Sequence, residues 1–294
     1  MLQVARLAPK LLGDSAELVR AFLLGQQNED GGFKDRAGRS DLYYTVFALD
    51  GLVALQAELP AGKTEAYLRG FKKEEDLDFV HLCCLIRSWA ALHKMSAPLF
   101  PNDFSELEKA LLERVEKFRA GDGGYNPVSD SAFGTAYGCF LALSAYQDFR
   151  SQIPDPSGMG KCLESLKTSD GAWSNDRKVG QGSTNATAAA VSTLRQLQLA
   201  THPTVGDWLL ARCHPDGGFL AAANAPMPDL LSTATALHAL SGLQRPLEAI
   251  RERCLDFVDT LWTNEGGFHG HWGDDALDCE YTFYGLLALG HLAV

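Results

Sequence analysis

The chain has 294 residues, 46% of them hydrophobic, enough for a sizeable core in one or two domains. Its 26 basic and 37 acidic residues leave a formal net charge of −11, which argues against broad binding to nucleic acid or anionic membranes. No apolar run is long enough to span a bilayer, and residues 1–12 lack the apolar core and cleavage site of a secretory leader. With seven cysteines, an odd number, and no CxxC pair, reduced thiols and a cytoplasmic location are expected.

In chain order, the first strong signal is an amphipathic helix over Ala16–Gln26, with apolar residues at three- and four-residue spacing. Asp30-Gly31-Gly32-Phe33 then reads as a turn, followed by a loop of about ten residues and a more apolar helix over Tyr44–Leu55. The same sequence of signals returns. Turns stand at Asp122-Gly123-Gly124-Tyr125, Asp170-Gly171-Ala172-Trp173, Asp216-Gly217-Gly218-Phe219 and Glu265-Gly266-Gly267-Phe268. Apolar helices follow at Thr135–Ala145, Thr187–Leu197, Thr233–Leu243 and Thr282–Leu292, and a second clear amphipathic helix covers Ala249–Trp262. Successive turns start 92, 48, 46 and 49 residues apart, and 92 is two periods. The missing turn falls where Lys72-Lys73-Glu74-Glu75-Asp76 stands, so that copy is degenerate and aligns through Asp78-Phe79-Val80-His81-Leu82.

The pattern predicts an all-α chain, 1–294 as one domain, of six helix-pair repeats. An acid followed by two glycines suits a turn that needs positive φ just past a helix C-terminus, and the aromatic after it can plug the gap within the pair. A threonine recurs near the head of each second helix: Thr45, Thr135, Thr187, Thr233 and Thr282. Second helices that are apolar nearly all round, beside amphipathic first helices, imply two concentric layers. The last helix carries no polar capping face, so a closed ring is expected rather than an open solenoid.

These motifs resemble the repeat of the prenyltransferase and squalene-cyclase family. The resemblance spans nearly the whole chain, and Gly31-Gly32-Phe33-Lys34-Asp35-Arg36-Ala37-Gly38 is similar to a GGFxDRxG segment of protein geranylgeranyltransferase β subunits. It implies an α/α toroid (an α6/α6 barrel) whose apolar cavity holds an isoprenoid, with chemistry at the heads of the second helices. It also implies a prenyl diphosphate as substrate and a helical α-subunit-like protein partner. Fold alone does not decide activity.

Counting from the threonine gives the candidate columns. Four residues before it stand Asp41, Ser131, Ser183, Asp229 and Asp278; two before it, Tyr43, Phe133, Asn185, Leu231 and Glu280; one before it, Tyr44, Gly134, Ala186, Ser232 and Tyr281. The degenerate copy adds Asp78, Val80 and His81. Polar entries gather in repeats 6, 1 and 2. The family's zinc is bound by an Asp-x-Cys pair and a histidine, which lowers the pKa of a substrate thiol. Here Asp41-x-Tyr43 or Asp278-x-Glu280 stands in the Asp-x-Cys place, with His81 or Tyr44 in the histidine place. Zinc is therefore doubtful, although Asp41, His81, Asp278 and Glu280 form a candidate set for a divalent metal. Arg36 and Arg39, with Tyr44, are the candidate diphosphate grip.

The cyclase branch of the family matches its D-x-D-D-T motif to Asp278-Cys279-Glu280-Tyr281-Thr282. That alignment makes Glu280 a general acid oriented by Asp278, in place of a transferase site built on Asp278, Glu280 and Tyr44. Prenyl transfer to a nucleophile is the activity expected first, with acid-initiated cyclisation through Glu280 and a toroid that only binds or scaffolds as the alternatives. His269-x-His271 beside Trp272 reads as a solvated loop pair, and the Asp-Gly-Gly turns lack the alternating carboxylates of a calcium loop.

Overall fold

The computed structural model describes residues 1–71, 77–95 and 104–294. The expected place of the missing turn, Lys72 to Asp76, lies outside the described residues. The chain opens with α1 (Leu2–Ala5), α2 (Pro9–Leu12) and a 3-10 turn over Gly13–Ser15. Six helix pairs follow among the described residues: α3 (Ala16–Gly25) with α4 (Leu42–Ala54), α5 (Ala61–Gly70) with α6 (Phe79–Met95), and α7 (Phe104–Glu116) with α8 (Ala136–Asp148). Then come α9 (Pro156–Ser165) with α10 (Thr184–Gln196), α11 (Thr204–Leu210) with α12 (Leu230–Gly242), and α13 (Glu248–Thr260) with α14 (Cys279–Leu292). A two-stranded hairpin, β1 (Phe33–Lys34) and β2 (Ser40–Asp41), joins the first pair and sets Phe33 opposite Asp41.

The turns behave as their sequence requires. The first glycine of each has φ between 84° and 94° (Gly31, Gly123, Gly171, Gly217, Gly266), where a side chain is disfavoured. The leading acid closes the turn on itself: Asp30 Oδ1 accepts from the Gly32 amide at 3.0 Å and Asp122 Oδ1 from the Gly124 amide at 3.1 Å. Its carboxylate is a turn former. The aromatics Phe33, Tyr125, Trp173, Phe219 and Phe268 are all buried.

The threonine column explains how turn and helix are joined. Thr233 Oγ1 accepts from the Phe219 amide at 2.9 Å and donates to the Asp229 carbonyl at 2.7 Å. Thr45 does the same between Phe33 and Asp41, and Thr282 between Phe268 and Asp278. A buried hydroxyl is stable there because both of its roles are filled. The second helices accordingly start two or three residues earlier than expected, since the residue four before the threonine is their N-cap.

Repeat 3 differs. Thr135 is itself the N-cap of α8, accepting from the Gly138 amide, and its own amide donates to Tyr125. It therefore corresponds to Asp41, Ser183, Asp229 and Asp278, and Cys139 takes the threonine place. Ser131, Phe133 and Gly134 belong to the loop, so their placement among the site columns is corrected by four residues.

Contacts gather into two compact units, Met1–Lys73 with Leu209–Val294, and Glu74–Trp208. In the first, α14 packs against both α12 and α4, and α1 packs against α14, so the opening and closing repeats of the chain are neighbours. Gly290 allows this close approach, because a side chain there would strike the Val4 backbone. In the second unit, α8 packs against both α6 and α10. Every residue of α4 from Thr45 to Ala54 is buried, as expected of a helix apolar on all sides. Leucines such as Leu49, Leu52 and Leu286 are fully buried and each contributes about 2 kcal/mol. Among the described residues no helix is long and apolar enough to cross a membrane.

Candidate active site at the heads of α4 and α14

The head of every second helix needs a side chain to satisfy its first amides, which is why that column holds Asp, Ser or Thr. Asp41 Oδ1 accepts from the Tyr43 amide at 2.7 Å and the Tyr44 amide at 3.3 Å. Asp278 Oδ1 accepts from the Tyr281 amide at 2.8 Å, and Asp229 Oδ1 from the Ser232 amide at 2.7 Å. In the second unit Asp78 caps α6 through the His81 amide at 3.0 Å. Most carboxylates of the column are therefore caps first.

Asp278 is more than a cap. It is 3% exposed, and its second oxygen, Oδ2, takes the Arg36 Nε–H at 2.8 Å. The terminal nitrogens of the same guanidinium grip Asp274 at 2.8 and 3.2 Å, and its plane lies 5.4 Å from the Tyr281 ring. The two carboxylates raise the Arg36 pKa against the cost of its burial. Burial pushes Asp278 up, opposed by the Tyr281 amide and by Arg36. Burial also works against Asp274, yet Arg36 and two backbone amides hold that carboxyl below the usual range.

Glu280 sits one step further into α14, half-buried, with a different partner. The Tyr43 hydroxyl donates to Glu280 Oε1 at 2.6 Å. Burial lifts the Glu280 carboxyl to about 7, the Tyr43 hydrogen bond opposes the rise, and the charge of Asp278 adds to it. Aromatic rings surround this point and continue one helical turn along α4 and α14. Tyr43 lies edge-on to Tyr44 at 5.7 Å and to Phe47 at 5.0 Å, and Phe47 meets Tyr284 at 5.3 Å and Phe283 at 5.7 Å. The Tyr44 hydroxyl is held neutral, its pKa pushed to about 12 by burial and by Asp278 and Glu280.

Several sequence expectations change here. Arg36 is committed to two carboxylates. Arg39, its side chain 80% exposed, pairs with Asp35 at 3.0 Å. Tyr44 faces acids. Taken together, these residues do not make the cationic grip expected for a diphosphate. The residues of the proposed metal set each have other partners within their own unit. Asp41 is a cap, Asp278 is held by Arg36, Glu280 by Tyr43, and His81 Nδ1 pairs with Asp78 Oδ2 at 2.6 Å in the second unit. Among the described residues no three His, Cys, Asp or Glu side chains are grouped to hold a metal ion. Zinc of the family type does not fit: a tyrosine stands in the thiolate place and a guanidinium occupies Asp278. His269 Nδ1 meets the Ala276 carbonyl at 3.1 Å, so it belongs to the loop's own bonding.

What residue-by-residue reading does not give is the pairing: Tyr43 stands in a candidate column, but not as the donor to Glu280, and Asp274 lies near Asp278 without being read as a partner of Arg36. The available signal was the opposite charge of Arg36 and Asp274 in the loops of repeats expected to be adjacent.

No curated protein matches the chain in sequence. Among solved structures it is similar to a type II terpene cyclase from Scytonema in complex with geranylgeranyl dihydroxybenzoate, at 15% identity over 97% of each chain, with a TM-score of 0.59. It is also similar to an inactive α-1,6-mannanase variant from Salegentibacter in complex with α-1,6-mannotriose, at 16% identity over 96% of this chain and 98% of that one, with a TM-score of 0.64. A protein from Actinoplanes, at 14% identity over 96% and 99% of the two chains, has a TM-score of 0.61. At these identities the likeness is one of fold. The family model of the prenyltransferase alpha-alpha toroid domain matches residues 7–86, 69–204 and 187–292. This chain is therefore a member of the prenyltransferase α/α-toroid family, and its six helix pairs are the repeats of that fold.

Proposed function

We propose that this protein is an acid-initiated isoprenoid cyclase with Glu280 as proton donor. The observation that carries the reading is a half-buried carboxyl with a pKa raised to about 7, hydrogen-bonded to Tyr43 and set among aromatic rings. A carboxylic acid kept neutral near pH 7 can protonate an alkene, where an ordinary exposed glutamate would already be ionised. In that step the Glu280 O–H bond breaks as a C–H bond forms at one alkene carbon, leaving a tertiary cation at the other. The next double bond attacks the cation, which closes a ring and moves the positive charge to a new carbon. A carbon beside it then gives its proton to water, and Glu280 takes up a proton from solvent for the next turnover. Tyr43 would stabilise the Glu280 carboxylate left behind, and the faces of Phe47 and Tyr284 would stabilise nearby positive charge. The terpene cyclase from Scytonema, covered over 97% of its length, supports the view that one toroid of this size can host such a substrate.

Prenyl transfer is the rival reading that family membership brings. It needs cations free to hold a diphosphate, and Arg36 spends its donors on Asp274 and Asp278. The deciding experiment incubates purified protein, without added metal, with labelled polyprenyl hydrocarbons and geranylgeranyl-phenols. Cyclised product that vanishes in Glu280→Gln is expected. Product formation unaffected by that change would overturn the assignment, and no turnover at all would favour a toroid that only binds.

A further inference from the structure

Arg36 lies in the short loop between β1 and β2 and reaches partners 238 and 242 residues away. Its three nitrogens are all used, Nε on Asp278 and the terminal pair on Asp274. Each partner is tied into backbone as well. Asp278 caps α14 through the Tyr281 amide, and Asp274 accepts from the Gly270 and Ala276 amides, both at 3.2 Å. The Gly270 carbonyl in turn accepts from the Leu230 amide at 2.8 Å, at the head of α12.

We infer that Arg36 is a positioning residue for Glu280: its forked ion pair fuses the loop of residues 270–276 to the head of α14 and so fixes where the acid two residues beyond Asp278 points. The catalytic consequence rests on the cyclase reading; the clamp itself does not. Without the guanidinium, two neighbouring carboxylates, one of them buried, would be left with no cation between them. That arrangement relaxes by swinging one carboxylate outward, which loosens the cap of α14. Lysine is a poor substitute, since one ammonium cannot present Nε and a terminal pair in a plane. A substrate-gripping arginine would behave differently, because its removal weakens binding and leaves the chemical step intact.

The test compares Arg36→Met, Arg36→Lys and Asp274→Asn with the wild type in two readouts. In amide hydrogen exchange, Tyr281 and Gly270 should exchange about tenfold faster in Arg36→Met and in Asp274→Asn, with Arg36→Lys intermediate. In kinetics, kcat should fall by about 100-fold in Arg36→Met with KM nearly unchanged, and Arg36→Lys should recover part of it. Unchanged exchange at both amides, or a raised KM at constant kcat, would overturn the proposal. If Arg36→Met does not fold, Asp274→Asn carries the same exchange criterion. If the wild type turns over no isoprenoid, the cyclase reading falls and the exchange result still decides the clamp.

Discussion

The Tyr43 hydroxyl and Glu280 Oε1 meet at 2.6 Å across 237 residues of sequence, joining the second helix of repeat 1 to that of repeat 6. A phenol donates more strongly to a carboxylate than to a carboxylic acid. The contact therefore strengthens as Glu280 gives up its proton, so it assists the donating step. Replacing Tyr43 by Phe removes the hydrogen bond that opposes burial, and the Glu280 pKa must move upward from about 7. The variant should react about tenfold more slowly, with the limb of its pH–rate profile displaced to higher pH. A profile in register with that of the wild type would sink this account.

Burial of Glu280 has a stability consequence of definite sign. The folded state binds a proton up to about pH 7, whereas the unfolded chain releases it near 4.5. Stability contributed by this group is therefore present below pH 4.5 and is lost as pH rises towards 7, by up to about 3 kcal/mol. Glu280→Gln carries no charge to bury. It should match the wild type near pH 4 and melt higher at pH 8, as followed by circular dichroism. A variant that melts lower at pH 8 would contradict the burial argument.

His291 acts in the opposite direction. It is 4% exposed near the end of α14, its Nε2 lies 3.1 Å from His238 Nδ1, and burial lowers its pKa from 6.5 to about 4. The unfolded chain takes up this proton before the folded state does. Stability from the neutral imidazole is thus complete above pH 6.5 and declines as pH falls towards 4. Between pH 7.5 and pH 5 the loss amounts to about 2 kcal/mol. Denaturant titrations of the wild type and His291→Leu at both pH values check this. The variant's stability should depend less on pH, and equal slopes would refute the assignment.

These relationships were unequally legible in sequence. The repeat was plain, because each turn must carry glycine at positive φ and each pair must bury one aromatic. The threonine column was visible, yet its letter misled in repeat 3, where Thr135 caps the helix and Cys139 occupies the hydroxyl position. Counting 14 residues from the turn aromatic places Thr187, Thr233 and Thr282 correctly, and the same count from Tyr125 arrives at Cys139. A spacing tied to a hydrogen bond was a better guide than identity of residue. The acids of the site stand out in sequence, as do Arg36 and Tyr43, but the pairs they form do not. Whether Arg36 serves a ligand or Asp278 depends on which repeats touch, and no local pattern encodes that. Asp41 and Glu280 are both acids at helix heads, but Asp41 accepts from two backbone amides whereas Glu280, two residues further on in its repeat, accepts from a phenol.

The threonine column makes a sharper claim about cohesion than any single leucine does. Thr233 is fully buried, and its hydroxyl accepts from the Phe219 amide and donates to the Asp229 carbonyl. Thr233→Val keeps the shape and removes both functions, leaving a buried N–H unsatisfied at the junction of turn and helix. The cost should be about 2 kcal/mol, within the range for an orphaned buried donor. Thr233→Ser keeps the hydroxyl and loses one methyl, so it should cost about 1 kcal/mol. Equilibrium unfolding of the two variants separates the explanations. If Val proves no worse than Ser, the column is filling space, and the hydrogen-bonded link between turn and helix is not what holds each repeat together.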